Sequence, residues 1–277
     1  MRAVRSRVVA LWLAAVAVVA AVDDPADPAA AQSGSAPALY NAWIRFYAGF
    51  DRGAAADLAA GEPKATRSRG EVLLERGRVE RALLLGLRGG GGEIAYATAG
   101  NLDLAHPGAL SFWIRAVAWQ GKAAAGESGY VRFLRIPGVG RSVFVVERDV
   151  RQPGSDQEKF IIGFFDLSGG EKHYLSLRAG PRWTPEAWHL IVVAWDAVGF
   201  AVSVDGGPFT RKAVPSGRIR ADFGDLPAGA TWLVGDETRE STLLDELTIY
   251  ARQLSDEEAR RLYDAGLDAN ATSAPSP

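Results

Sequence analysis

The chain has 277 residues, 48% of them hydrophobic and 23% charged, with a formal net charge of −2 and no cysteine. That charge balance supplies no basic field for nucleic acid or an anionic membrane surface. The missing cysteine excludes disulfides, cysteine nucleophiles, thiolate metal sites and a lipid-anchored lipoprotein, and leaves a globular chain long enough for a large core.

At the N-terminus, Arg2, Arg5 and Arg7 precede an unbroken apolar run from Val8 to Val22, closed by Asp23 and Asp24. A basic start and an apolar stretch shorter than the ~20 residues of a membrane span read as a secretory signal. Residues 1–31 are therefore expected to be a signal peptide, cut after Ala21 or Ala31, from a secreted or periplasmic protein with no membrane insertion after cleavage. An uncleaved N-terminal anchor is the alternative. Residues 32–39 form a small, polar linker expected to be disordered. Arginine far outnumbers lysine and alanine is abundant, a composition that points to a bacterial genome and carries no mechanism.

From Tyr40 onward the chain reads as short β-rich runs separated by turn residues. Leu110–Arg115 and Val131–Arg135 come early. Val143–Glu147 and Phe160–Phe165 are near-continuous apolar runs, as strands buried on both faces require. Tyr174–Leu177, His189–Trp195 and Phe200–Asp205 follow, the last two flanking the hairpin connection Asp196–Gly199. Gly206-Gly207-Pro208 ends the second of that pair. Two long polar loops interrupt the series, Val117–Gly129 and Val150–Glu158. Leu243–Tyr250 is the last strand, with Leu247 and Ile249 on one face and Thr248 and Tyr250 on the other. A helix begins after it, with Ser255 as N-cap, Glu258 completing a capping box, an apolar side of Ala259, Leu262 and Tyr263, and Gly266 as the stop signal. No amphipathic helix is expected before Ser255. The tail, 269–277, is polar and rich in Ser and Pro, and is expected to be disordered.

The pairs Asp245-Glu246 and Leu254-Ser255 with Glu258 stand at the end of a longer series. Before them come Tyr47–Asp51, Ala82–Leu87 followed by Gly89–Gly92, Ser111–Ile114, Trp188-His189 and Val204–Gly206. Together, in this order, they resemble the landmarks of laminin-G-like domains of the concanavalin A-like lectin/glucanase superfamily. The resemblance implies an all-β fold, a two-sheet antiparallel jelly-roll sandwich over residues 40–268 with one short C-terminal helix. Its first and last strands should lie side by side, which closes the sandwich and protects its edges. Trp113 and Trp188 then belong to the packing rather than to a ligand.

Glucanases of that superfamily carry catalytic glutamates as Glu-x-Asp-x-Glu on one strand, where period two sets them on one face. No such triplet occurs in this chain. Asp245 and Glu246 are adjacent and are expected to point to opposite faces. Asp236, Glu237 and Glu240 read as a solvated turn. There is no Gly-x-Ser-x-Gly, no His-Glu-x-x-His, and His106, His173 and His189 are scattered. His189 occupies a framework position and reads as a structural histidine.

Calcium is the one ion the sequence admits. The resemblance implies that Asp51, Asp57 and Asp245 could hold a structural calcium, the other reading being that Asp245 bonds nearby backbone amides. Carbohydrate binding needs an exposed aromatic ring to stack on a sugar face, with polar groups for the hydroxyls. Trp119 and Trp183, both outside the framework, are the candidate rings, with Arg151, Asp156 and Asp166 as polar companions. The chain is thus expected to be an exported, non-catalytic binding domain for a glycan or for a cell-surface or extracellular protein. A divergent glycan hydrolase or lyase and a structural or adhesion protein are the alternatives.

Overall fold

In a computed structural model of the protein, the residues described are 39–86, 92–118, 130–149, 159–167, 170, 172–178, 184, 187–236 and 241–272. Among them the strands form two antiparallel sheets. The first runs in the order β14 (Thr210–Ala213), β13 (Gly199–Val204), β12 (Trp188–Asp196), β7 (Gly108–Ala118), β16 (Ser241–Tyr250), β1 (Ile44–Ala48) and β2 (Leu58–Ala59). A hairpin of β4 (Leu73–Arg76) and β5 (Arg81–Leu85) joins it through β16. The second sheet runs β11 (Lys172–Arg178), β10 (Lys159–Asp166), β9 (Ser142–Asp149), β8 (Tyr130–Pro137), β15 (Thr231–Asp236), β6 (Glu93–Ala97) and β3 (Thr66–Arg69). The expected strand runs fall within these elements, except that Asp205 lies just past the end of β13, and first strand pairs with last.

Period two explains which residues go where. Leu110, Phe112 and Ile114 of β7, Ile191, Val193 and Trp195 of β12, and Phe160, Ile162 and Phe164 of β10 fill the core between the sheets. The intervening residues of β12, Leu190, Val192 and Ala194, are buried too, because a helix covers the outer face of the first sheet. A strand covered on both sides has no polar face, hence the continuous apolar run.

That helix is α2 (Asp256–Thr272), and it packs through Ala259, Leu262 and Tyr263 against Trp113 and Leu190. The expected capping box is present: the Ser255 amide donates to Glu258 Oε2 at 2.9 Å and the Glu258 amide donates to Ser255 Oγ at 3.2 Å. Gly266, however, does not stop the helix, which continues to Thr272 and takes in the first residues of the expected tail. This glycine is there for close approach. A Cβ on Gly266 would collide with the Trp113 ring, which is stacked on Tyr263 at 5.7 Å.

A second helix, α1 (Arg218–Phe223), was not expected from the sequence. It is a single short turn pair that seals the core with Ile219 and Phe223, too brief to produce a readable 3.6-residue period. The expected signal peptide, nearly all of the linker, and residues 273–277 of the tail lie outside the described residues.

Candidate functional site

Four of the five candidate ligand residues, Trp119, Arg151, Asp156 and Trp183, lie outside the described residues. The strand ends that flank them are described. Tyr130, Asp149, Lys159 and Arg178 stand in one row across the second sheet. Asp166 pairs with Ser142 at the opposite end of β10, about 23 Å from that row at the usual rise of a strand. It sits beside Gly170 in the β10–β11 connection. Asp166 is therefore separated from the strand ends that lead to the other four.

Between these two ends lies the outer face of the second sheet. Phe160, Ile162 and Phe164 point into the core, so Ile161, Gly163 and Phe165 face outward. Opposite them on β9 stand Glu147, Val145 and Val143, and on β11 Ser176, Tyr174 and Lys172. Tyr174 is 43% exposed, and its ring stacks on Phe165 with centroids 5.7 Å apart and planes 15° from parallel. Gly163 contributes no side chain beside this stack. It allows the strands to approach, since a Cβ there would meet Tyr174 Cα at 2.5 Å. Next along the face, Arg132 Nε donates to Glu147 Oε2 at 3.0 Å. The surface thus combines a buried floor of Val143, Val145 and Ile161 with an exposed ring and a fixed ion pair.

Sequence reasoning passed over this face. Its signal was the alternation in Lys172-His173-Tyr174-Leu175-Ser176, which puts Tyr174 opposite the core residue Leu175. Glu147 and Asp149 were also missed. They are two apart on β9, on one face, and match the first two places of a Glu-x-Asp-x-Glu triplet whose third place is Arg151.

The carboxylates considered for calcium are engaged by main-chain donors. Asp57 Oδ2 accepts from the Gly49 amide at 3.0 Å and Asp51 Oδ1 from the Arg81 amide at 3.1 Å. Asp245 accepts from the amides of Arg78 at 2.8 Å, Val79 at 3.2 Å and Glu246 at 2.9 Å. Among the described residues, no group of three or more His, Cys, Asp or Glu is placed to hold a metal ion.

The expected opposition of Asp245 and Glu246 is corrected by the backbone. Register slips between Asp245 and Thr248, and Glu246 has φ of 54°, so strict alternation does not apply across this bulge. Both side chains are buried, and Tyr47 OH donates to Glu246 Oε1 at 2.8 Å. Burial raises the Asp245 carboxyl well above the usual carboxylate range, and the Glu246 charge raises it further against the pull of the three amides. His189 is structural as expected, with Nδ1 2.8 Å from Asp205 Oδ2. Asp205 and Gly206 form the tight turn after β13, both with positive φ.

The sequence model of the concanavalin A-like lectin/glucanases superfamily matches residues 88–260. No curated protein matches the chain. Among solved structures, domain 4 of the extracellular arabinanase AbnA from Geobacillus stearothermophilus, in complex with arabinotriose, is similar. It has 15% identity and a TM-score of 0.56, over 80% of this chain and 98% of that one. The receptor-binding domain of botulinum neurotoxin C/D mosaic serotype gives 13% identity and a TM-score of 0.57, over 81% of this chain and 51% of that one. The binding domain of Paraclostridial Mosquitocidal Protein 1 gives 13% and 0.58, with 81% and 52% covered. The chain spans about half the length of these two toxin domains. At such identities the likeness is one of fold.

Proposed function

This chain belongs to the concanavalin A-like lectin/glucanases superfamily, and from that premise we propose that it is an exported, non-catalytic domain that binds a glycan. The observation that carries this reading is the exposed Tyr174 ring stacked on Phe165, with the Arg132–Glu147 pair further along the same face, two strands from Tyr174. A sugar ring presents C–H groups to an aromatic face and hydroxyls to charged groups at its rim, and this surface offers both. The arabinotriose complex of the AbnA domain and the likeness to the receptor-binding domain of botulinum neurotoxin C/D mosaic serotype support a ligand of this class.

Co-sedimentation of the protein with insoluble plant and bacterial polysaccharides, with and without calcium, tests the reading. Retention of the wild type on at least one polysaccharide, reduced at least tenfold by Tyr174→Ala, is expected. Equal retention of both proteins would remove the site, and no retention on any would remove the function.

A second reading, a glycan hydrolase, has one observation in its favour: Glu147 and Asp149 share a face of β9. Against it, Glu147 is engaged by Arg132, whereas the acid of a glycosidase must be free to exchange a proton. Release of reducing ends from a bound polysaccharide, abolished by Glu147→Gln, would establish the hydrolase in place of the binding domain.

A further inference from the structure

Trp43 is 49% exposed, more than any other tryptophan, tyrosine or phenylalanine among the described residues. Its main chain is held at both ends. The Trp43 amide donates to Tyr40 O at 2.9 Å, closing the 3-10 turn Asn41–Trp43, and the Ala251 amide donates to Trp43 O at 2.8 Å, just past the end of β16. The indole itself faces the Arg252 guanidinium, 5.3 Å from the ring centroid, and the same guanidinium is 5.7 Å from the Tyr40 ring.

Arg252 is fixed in turn. Nη1 donates to Glu258 Oε2 at 2.9 Å, Nη2 to Glu258 Oε1 at 2.6 Å, and Nη1 also to Gln253 O at 2.9 Å. Glu258 is the capping-box residue of α2, so ring, cation and helix start form one braced unit. Beside it, Gln253 Nε2 donates to Asp196 Oδ2 at 3.1 Å. A braced indole loses little rotamer entropy when a ligand covers it. The surroundings supply hydrogen-bond donors and acceptors in fixed positions.

We infer that Trp43, with Arg252, Gln253 and Asp196, is a second glycan-stacking site. The class of ligand rests on the proposed glycan-binding function; the site itself rests on the geometry above. Tyr40 packs against the outer cluster of the first sheet, whereas Tyr174 lies on the outer face of the second. One short oligosaccharide cannot reach both, because the whole sandwich lies between them. The domain is therefore bivalent and cross-links two glycan chains.

The test is an indole N–H titration of the 15N-labelled full chain with cellotriose, xylotriose, arabinotriose and mannotriose, the Trp43 signal being assigned by its loss in Trp43→Phe. A saturable shift of that signal with at least one trisaccharide, retained in Tyr174→Ala, is expected. Trp43→Ala should keep the wild-type melting temperature and a residual polysaccharide retention that Tyr174→Ala then removes, while losing at least tenfold in cross-linking of glycan-coated beads. A Trp43 signal unmoved by all four sugars, in a protein that still binds polysaccharide through Tyr174, overturns the second site alone. Loss of the shift in Tyr174→Ala overturns its independence, and absence of all sugar binding overturns both this site and the proposed function.

Discussion

Asp245 is buried together with Glu246, and the pair makes stability depend on pH in a direction that can be stated. Its native carboxyl titrates above the unfolded value of about 3.9. The contribution of such a group is full below the unfolded value and is lost as pH rises through the native one. Asp245→Asn keeps a carbonyl acceptor for the Arg78 and Val79 amides and cannot ionise. Urea midpoints measured from pH 4 to pH 8 should fall less steeply in this variant than in the wild type; an unchanged slope would remove Asp245 as the source. Glu258 behaves oppositely. Arg252 and the capping-box groups hold its carboxyl at about 2, so its contribution is present above about 4.3 and lost as pH falls. Ser255→Ala should cost about 1 kcal/mol through loss of the cap, read as a melting temperature lower by about 2–4 °C. Gly266→Ala separates two effects of opposite sign. Helix propensity alone would stabilise by about 1 kcal/mol, but the new methyl meets the Trp113 ring and overpacking costs about 1–3 kcal/mol. A lower melting temperature is expected, and a higher one would show that α2 shifts to accommodate the methyl group.

At the scale of elements, β16 explains why Asp-Glu stands where it does. Along Thr242–Leu244 its neighbour on one side is β5, and along Leu247–Tyr250 it is β1. The bulge at Asp245-Glu246 is the point where it changes partner. Asp245 accepts the amides of the β4–β5 turn, and Glu246 takes the hydroxyl of Tyr47 on β1. The strands themselves were legible because a sandwich needs alternating or fully apolar runs, and β7, β9, β10 and β12 show them. Capping of α2 was equally legible, being a local pattern of four residues. The bulge was not, since nothing in Leu243–Tyr250 marks a left-handed glutamate. Gly266 was misread because a packing glycine and a terminating glycine look alike in sequence. Tyr174 was overlooked for a different reason: its exposure depends on Phe165 and Gly163, which reach it only through strand pairing. Trp43 was missed because its brace, Arg252, is more than two hundred residues away in the chain.

For the whole molecule, the placement of aromatics decides function more than the fold does, since one jelly roll hosts many activities. The core consumes Trp113, Trp195 and Trp232, all nearly fully buried, and leaves Trp43 and Tyr174 at the surface on opposite outer faces. On the function proposed above, these surfaces take sugars without cleaving them. A glycan-array screen of the wild type beside Tyr174→Ala, run with and without calcium, tests it most directly. The wild type should bind a defined set of glycans, Tyr174→Ala should lose at least tenfold in signal on that set, and the eluted glycans should be intact. A folded wild type that binds no glycan under either condition, or binds as well without Tyr174, would contradict it.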